Sequence, residues 1–315
     1  MFILVLGGGV SGLSCGIRLA EAGHSVELWA REVSPHTTSD VAAAVWYPYR
    51  AGPQERVNAW AKRTYGVLQA LGQEHPEAGI LRVSGVEAFS APVEDPWWRD
   101  SVPDFRRARP EELPPGFVDG YAFSAPVIEM PRYLPFLMAR FQALGGRVVQ
   151  REVRSLEEAW ARAPVVVNCT GLGARALVGD ESLYPIRGEV LRVEPPPVDR
   201  FIFADEADRI AYVIPRSRDC ILGGTAEEGN ASLEPDPREV DGILARTAGL
   251  LPPGTRVHVV EHKVGLRPGR PVVRVEAERV GGRTVVHDYG HGGAGVTLSW
   301  GCAEEVVALV EAHGR

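Results

Sequence analysis

The chain opens on an unbroken apolar run, Phe2–Leu6, of the kind buried on both faces of a parallel sheet. It passes directly into Gly7-Gly8-Gly9-Val10-Ser11-Gly12. Leu13, Ile17 and Ala20 then recur at helical spacing, Gly23 offers a C-cap, and Ser25–Ala30 reads as a second strand. A longer helix is predicted over 51–71, carrying Val57, Trp60, Tyr65 and Leu68. Residues 80–127 are rich in Pro, Trp and Phe, with short strand-like pieces. A helix follows over 131–143, with Leu134, Leu137, Met138 and Phe141 on one side and Gly145-Gly146 ending it. A short strand over 147–153 and a short helix over 156–162 lead to 164–171, a second apolar strand that ends in a glycine turn. Alternation then changes character: Leu191 and Val193, 212–214, 221–222 and 257–264 read as antiparallel strands. A last strand over 284–289 meets Gly290-His291-Gly292-Gly293-Ala294-Gly295, and a helix over 296–313 turns Leu298, Cys302, Val306 and Leu309 inward.

The α/β segments at the start, middle and end, with antiparallel pieces between them, predict an α/β fold of two interleaved domains. A Rossmann-like dinucleotide-binding domain is expected from 1–52, 132–184 and 262–315. A second domain of mainly antiparallel sheet, built for substrate, is expected from 53–131 and 185–261. The 315 residues suit two domains, and 45% hydrophobic with 24% charged residues excludes a largely disordered chain. A net charge of −7 without a basic run speaks against nucleic acid as a partner. The uncharged stretch 1–17 is broken by five glycines and lacks a positive start, so neither a signal sequence nor a membrane span is expected. Cys15, Cys169, Cys220 and Cys302 are scattered without a C-x-x-C pair, so no metal is expected and a reducing, cytoplasmic compartment is the default.

Gly7-x-Gly9-x-x-Gly12 stands between a strand and a helix, where each glycine has a physical task. Gly7 allows the tight turn, Gly9 lets backbone approach a pyrophosphate at the helix N-terminus, and Gly12 allows close helix–strand packing. Glu32, beside Arg31, lies 20 residues after Gly12, the spacing of a ribose-binding acid. The turn 290–295 opens a second helix, whose positive end suits an anionic ring. Two such turns at opposite ends of the chain fit a long ligand better than NAD alone. His291 receives no role, and Cys169 reads as a small buried hydrophobe. Arg267, set among Gly265, Pro268, Gly269 and Pro271, suits a fixed grip on a carboxylate, although its surroundings alone favour a surface ion pair.

Taken together, 7–14, 37–44, Trp46-Tyr47-Pro48-Tyr49, 167–171, 264–271, 289–297 and Trp300-Gly301 resemble the D-amino-acid oxidase family of flavoproteins, including its D-aspartate oxidase branch, over essentially the full length. The resemblance implies noncovalent FAD and oxidation of a D-amino acid to an imino acid, which hydrolyses to a 2-oxo acid and ammonia. Dioxygen then becomes hydrogen peroxide. It further implies FAD contacts at Gly7, Gly8, Gly9, Val10, Ser11, Gly12, Arg31, Glu32, Thr38, Ser39, Ala43, Ala44, Val45, Val153, Thr170, Gly171, Gly292, Gly293, Gly295, Val296 and Thr297. By the same likeness Arg267 and Tyr212 hold the substrate carboxylate, the Gly293 carbonyl receives the amine, and Tyr47 contacts the substrate. That arrangement aims the substrate Cα–H at flavin N5 for hydride transfer.

The chain departs from the family pattern at several positions. A lid tyrosine of some members is replaced by Asp208. Positions that hold the second carboxylate in the D-aspartate branch read Tyr49, Phe203 and Ala226, although 171–175 and 263–268 resemble that branch. A second carboxylate needs a partner, so neutral D-amino acids are the expected substrates, with Arg50 and Arg216 as the nearby charges able to overturn this. Activity on D-aspartate, or on glycine and secondary amines, is the alternative. A dehydrogenase using another acceptor and a non-enzymatic FAD-binding protein stand further off, and a homodimer is left open.

Overall fold

The computed structural model describes residues 1–49, 51–206 and 209–313. Asp208 and Arg50 therefore lie outside the described residues. In chain order the elements are β1 (Phe2–Leu6), α1 (Val10–Glu21), β2 (Ser25–Ala30), α2 (Thr38–Val41), α3 (Gln54–Glu74), β3 (Ile80–Phe89), β4 (Arg106–Arg107) and β5 (Asp119–Ile128). Then come α4 (Met130–Ala143), β6 (Arg147–Gln150), α5 (Leu156–Trp160), β7 (Val165–Asn168), α6 (Ala174–Val178), β8 (Tyr184–Val193), β9 (Phe201–Glu206), β10 (Arg209–Pro215), β11 (Cys220–Gly223) and β12 (Glu227–Glu228). The chain finishes with α7 (Pro237–Thr247), β13 (Val259–Gly269), β14 (Arg274–Val280), β15 (Arg283–Tyr289) and α8 (Gly295–His313).

Two sheets organise the molecule. The first runs β14-β15-β7-β1-β2-β6, parallel throughout except for the β14–β15 hairpin. Its central strands β1 and β7 are apolar because both their faces are covered. Helices α1, α4, α3 and α8 pack together, and Leu13, Ile17, Phe141, Trp60, Leu298 and Val306 fill the space between them. The second sheet runs β12-β8-β11-β10-β9-β3-β5-β4, with β13 paired to β8. Its interleaving with the first is direct: β3, β5 and β8–β13 fall between segments of the parallel sheet.

Local sequence misled in identifiable places. The Pro- and Trp-rich stretch contains two ten-residue strands, β3 and β5, paired residue for residue from Ile80↔Ile128 to Phe89↔Asp119. The segment 264–269, rich in glycine and proline and beyond the strand expected over 257–264, is the second half of β13 and pairs with β8 from Gly265↔Gly188 to Gly269↔Tyr184. It thus belongs to the antiparallel sheet, although it falls within the 262–315 span expected with the parallel one. Pro268 is tolerated because β13 is an edge strand. Strand β14 and helix α7 were not expected. Both carried signals: Gly281 and Gly282, at φ +57° and +81°, form the two-residue hairpin, and Asp236 caps α7 with Pro237 at its first turn.

Candidate functional site

The first glycine turn meets backbone at Gly7, Gly8 and Gly12 and the Ser39 side chain at Gly9. A Cβ on Gly7 (φ +114°) would stand 2.3 Å from the Cys169 carbonyl oxygen, and one on Gly12 would stand 2.0 Å from the Gly7 oxygen. Gly9 caps α1 in extended conformation, and no acidic residue occupies the helix's first turn. Ser39 Oγ accepts from the Val10 N–H at 3.1 Å, which brings α2 against this helix end. Thr37 and Asp40 hold α2 through a reciprocal cap, with Asp40 also accepting from Ser34 at 2.6 Å. Ser11 is half-buried, and Thr38, Arg31 and Glu32 are exposed, with Arg31 Nε 3.8 Å from Glu32 at the end of β2. Val153 packs against the core under β1 and β2. Thr170 is fixed by Asn168 through its hydroxyl at 2.7 Å, and Gly171 turns the chain at φ +56°. Backbone donors, a helix N-terminus free of acid and an exposed carboxylate at the second strand's end together fit a dinucleotide.

The second turn is tied to the parallel sheet and to the antiparallel sheet. Gly292 (φ +55°) donates its N–H to the Pro268 carbonyl of β13 at 2.9 Å. Thr297, in the first turn of α8, both accepts from Tyr47 N–H (3.0 Å) and donates to the Tyr47 carbonyl (2.9 Å). This clasps Ala43, Ala44, Val45 and Tyr47 to the 292–297 loop across 250 residues of sequence. Ala44 is the one non-glycine at positive φ (+57°) among the described residues, and its carbonyl accepts from Ile128 at 2.7 Å. Gly295 and Val296 begin α8, and Gly293 is exposed, with Tyr49 so close that a Cβ would stand 2.5 Å from its ring.

Arg267 and Tyr212 meet on the antiparallel sheet. Register places Tyr212 opposite both Gly223 and Phe203, and Phe203 opposite Glu87, so these residues form one row across β11, β10, β9 and β3. Two strand glycines make the room. A Cβ on Gly188 would lie 2.2 Å from Arg267 Nη1, and one on Gly223 would lie 2.1 Å from the Tyr212 ring. Arg267 donates to the Thr225 carbonyl at 3.1 Å, and among the described residues no carboxylate lies within 4.0 Å of its guanidinium. Burial raises the Tyr212 hydroxyl above the ordinary tyrosine range, with neighbouring Arg267 opposing the shift, so it stays protonated and able to donate.

Aromatic rings complete the wall: Tyr47 lies 5.5 Å from Phe203, and Phe203 lies 6.4 Å from Tyr212. The Tyr47 hydroxyl donates to buried Glu87 at 2.6 Å, so it is already engaged on the protein. Arg216 is bound at both ends by Asp219 (2.6 and 2.9 Å) and is not free to meet a second substrate charge. Ala226 is half-buried. Sequence reasoning missed Glu87, Gly188 and Gly223. The two glycines carried a signal, since glycine inside a strand marks close approach of another group.

Residues 3–309 match the model of a protein family described as FAD dependent oxidoreductase. The chain belongs to that family. Similar proteins include a D-amino-acid oxidase of Rubrobacter xylanophilus, 54% identical over 98% of this chain and 95% of the relative. A human D-aspartate oxidase is 38% identical over 98% of this chain and 94% of its own length. Among solved structures, glycine oxidase from Geobacillus kaustophilus superposes with a TM-score of 0.83 at 20% identity, covering 98% of this chain and 94% of that one. That likeness supports the fold. FAD is thus the cofactor. No helix of the described residues is long and apolar enough to cross a membrane.

Proposed function

We propose that this protein oxidises neutral D-amino acids to 2-oxo acids, releasing ammonia and hydrogen peroxide. The observation that carries the reading is Arg267: a half-buried guanidinium, seated over Gly188, beside the Tyr212 hydroxyl and, among the described residues, with no carboxylate within 4.0 Å. Such a group is an open seat for a substrate carboxylate. Tyr212 donates a second hydrogen bond to it, and the Gly293 carbonyl receives the amine. FAD, when bound, supplies the redox chemistry, taking two electrons from the substrate and returning them to dioxygen. The protein's part is orientation: three fixed contacts leave the substrate Cα one approach to the cofactor. The substrate side chain faces Tyr47, Tyr49 and Phe203, none of them cationic, so a second carboxylate would lose its water without gaining a partner. In this reading residues 1–52, 132–184 and 262–315 serve FAD and 53–131 with 185–261 serve the substrate, β13 bridging the two.

The test is an absorption spectrum followed by peroxide release on a panel of amino acids. We expect flavin bands that persist through gel filtration, turnover of D-alanine and D-valine, and turnover of D-aspartate at least tenfold slower in kcat/KM. A colourless protein that gains no spectrum with FAD would refute the reading. D-Aspartate or glycine equalling the best neutral D-amino acid would move the substrate assignment to that class.

A further inference from the structure

Below the two glycine turns lies a cluster that the proposed reaction does not use. Asp288, at the end of β15, is 1% exposed. Its Oδ1 lies 3.0 Å from His291 Nε2, the Cys15 thiol donates to its Oδ2 at 3.2 Å, and Cys169 Sγ lies 3.9 Å from the same oxygen. Cys302 completes the group, with donor atoms of Asp288, His291 and Cys302 within 4.8 Å of one another. The composition resembles a metal site, but the chemistry runs against one. Asp288 already has a partner at each oxygen, and burial raises the Cys15, Cys169 and Cys302 thiols, whereas a metal requires thiolates.

What the partners have in common is where they come from. Cys15 lies in α1, the helix opened by the first glycine turn. Cys169 supplies the carbonyl that roofs Gly7. His291 is inside the second turn, flanked by Gly290 and Gly292. One carboxylate therefore touches the three segments that frame the cradle, which are separated in sequence by as many as 273 residues. Among the described residues no lysine or arginine lies within 4.0 Å of it, and His291 Nε2 stands 3.0 Å from its Oδ1. The titratable groups facing it are Cys15, Cys169, Cys302 and His291.

We propose that Asp288 is a positioning residue for FAD: it locks the first and second glycine turns into one register by bonding Cys15 and His291 at once. This rests on the assignment of both turns to FAD. A carboxylate so buried and so fully bonded is a rigid joint, because releasing either partner leaves a polar group unpaired. The joint acts through the turns and touches no reacting atom.

The experiment measures FAD affinity of the apoprotein by flavin fluorescence quenching, together with kcat at saturating FAD. Asp288→Asn should weaken FAD by about tenfold or more, the effect of losing a charged buried hydrogen bond. Excess FAD should restore kcat to within about threefold, as for a residue that positions and does not react. Cys15→Ser, which keeps a donor, should retain FAD better than Cys15→Ala. In a double-mutant cycle Asp288→Asn and His291→Gln should be strongly non-additive. Parent-like FAD affinity in Asp288→Asn, or additivity with His291→Gln, would overturn the proposal. Should the parent protein itself not bind FAD, the cofactor assignment of the turns fails instead, and the two failures are distinct.

Discussion

Replacing Gly188 by alanine separates the proposed substrate seat from the fold. The new Cβ would stand 2.2 Å from Arg267 Nη1, against the 3.4 Å at which ordinary contact begins. Gly188 has no positive φ, so the backbone accepts alanine, and the clashing atom is the end of a flexible side chain. The guanidinium therefore moves, by about 1 Å, and its 3.1 Å bond to the Thr225 carbonyl stretches or breaks. A misplacement of that size at a positioning group costs on the order of a hundredfold in rate, or about 2.7 kcal/mol of transition-state stabilisation. Folding is affected in the opposite sense, since alanine in a strand is favoured over glycine by roughly 0.5–1 kcal/mol. We expect kcat/KM on D-alanine to fall about a hundredfold, with the flavin content per chain unchanged and a melting temperature within a few degrees of the parent. Peroxide release, absorbance and thermal unfolding read the three quantities independently. Parent-like kcat/KM, within about threefold, would show that Arg267 does not hold the substrate. Loss of activity together with flavin would show that Gly188 serves the fold instead.

Arg267→Ala should lower kcat/KM by at least about a hundredfold while FAD stays bound, because the proposed charge-assisted pair is with the substrate and not with FAD; titration of flavin per chain checks the second half. Gly12→Ala places a methyl 2.0 Å from the Gly7 oxygen, a backbone atom that cannot step aside, and the purified variant should carry little or no FAD. Stability should fall on acidification through His287. It is fully buried, and burial, followed by the charge of Arg274, pushes its pKa down to about 4 from an ordinary 6.5. Between those values the unfolded chain binds a proton that the folded one refuses, so this contribution is complete above about 6.5 and is lost as pH falls towards 4. The shift is worth about 3 kcal/mol. Urea midpoints at pH 4.5 and 7.5 should differ less in His287→Gln than in the parent, and an unchanged difference would remove His287 as the cause.

The parallel half of the molecule was readable because its information is local. Apolar runs at 2–6 and 165–168 can be buried only between two layers, and a glycine turn that leads into a helix has few other uses. The strands Ser25–Ala30 and Phe2–Leu6 accordingly fall where periodicity put them. The antiparallel half was legible in kind but not in extent. The pairing of β3 with β5, or of β13 with β8, is settled by a partner tens of residues away, and strand propensity depends on that partner more than on the residue itself. For the same reason the strand expected to end at Val264 runs on through Arg267 to Gly269.

The sequence by itself determined the class of cofactor and the two glycine turns that open helices, and it supplied, by resemblance, the arginine and tyrosine proposed for the substrate. Tertiary structure decided everything that depends on distance between remote segments. Only register shows that Gly188 and Gly223 are the spaces into which Arg267 and Tyr212 fit. Only packing brings Cys15, Cys169, His291 and Cys302 around the buried Asp288 carboxylate. A local pattern reports how a segment buries its own surface. Which side chains meet inside is settled by how separate segments exclude water together, and that is a property of the folded chain.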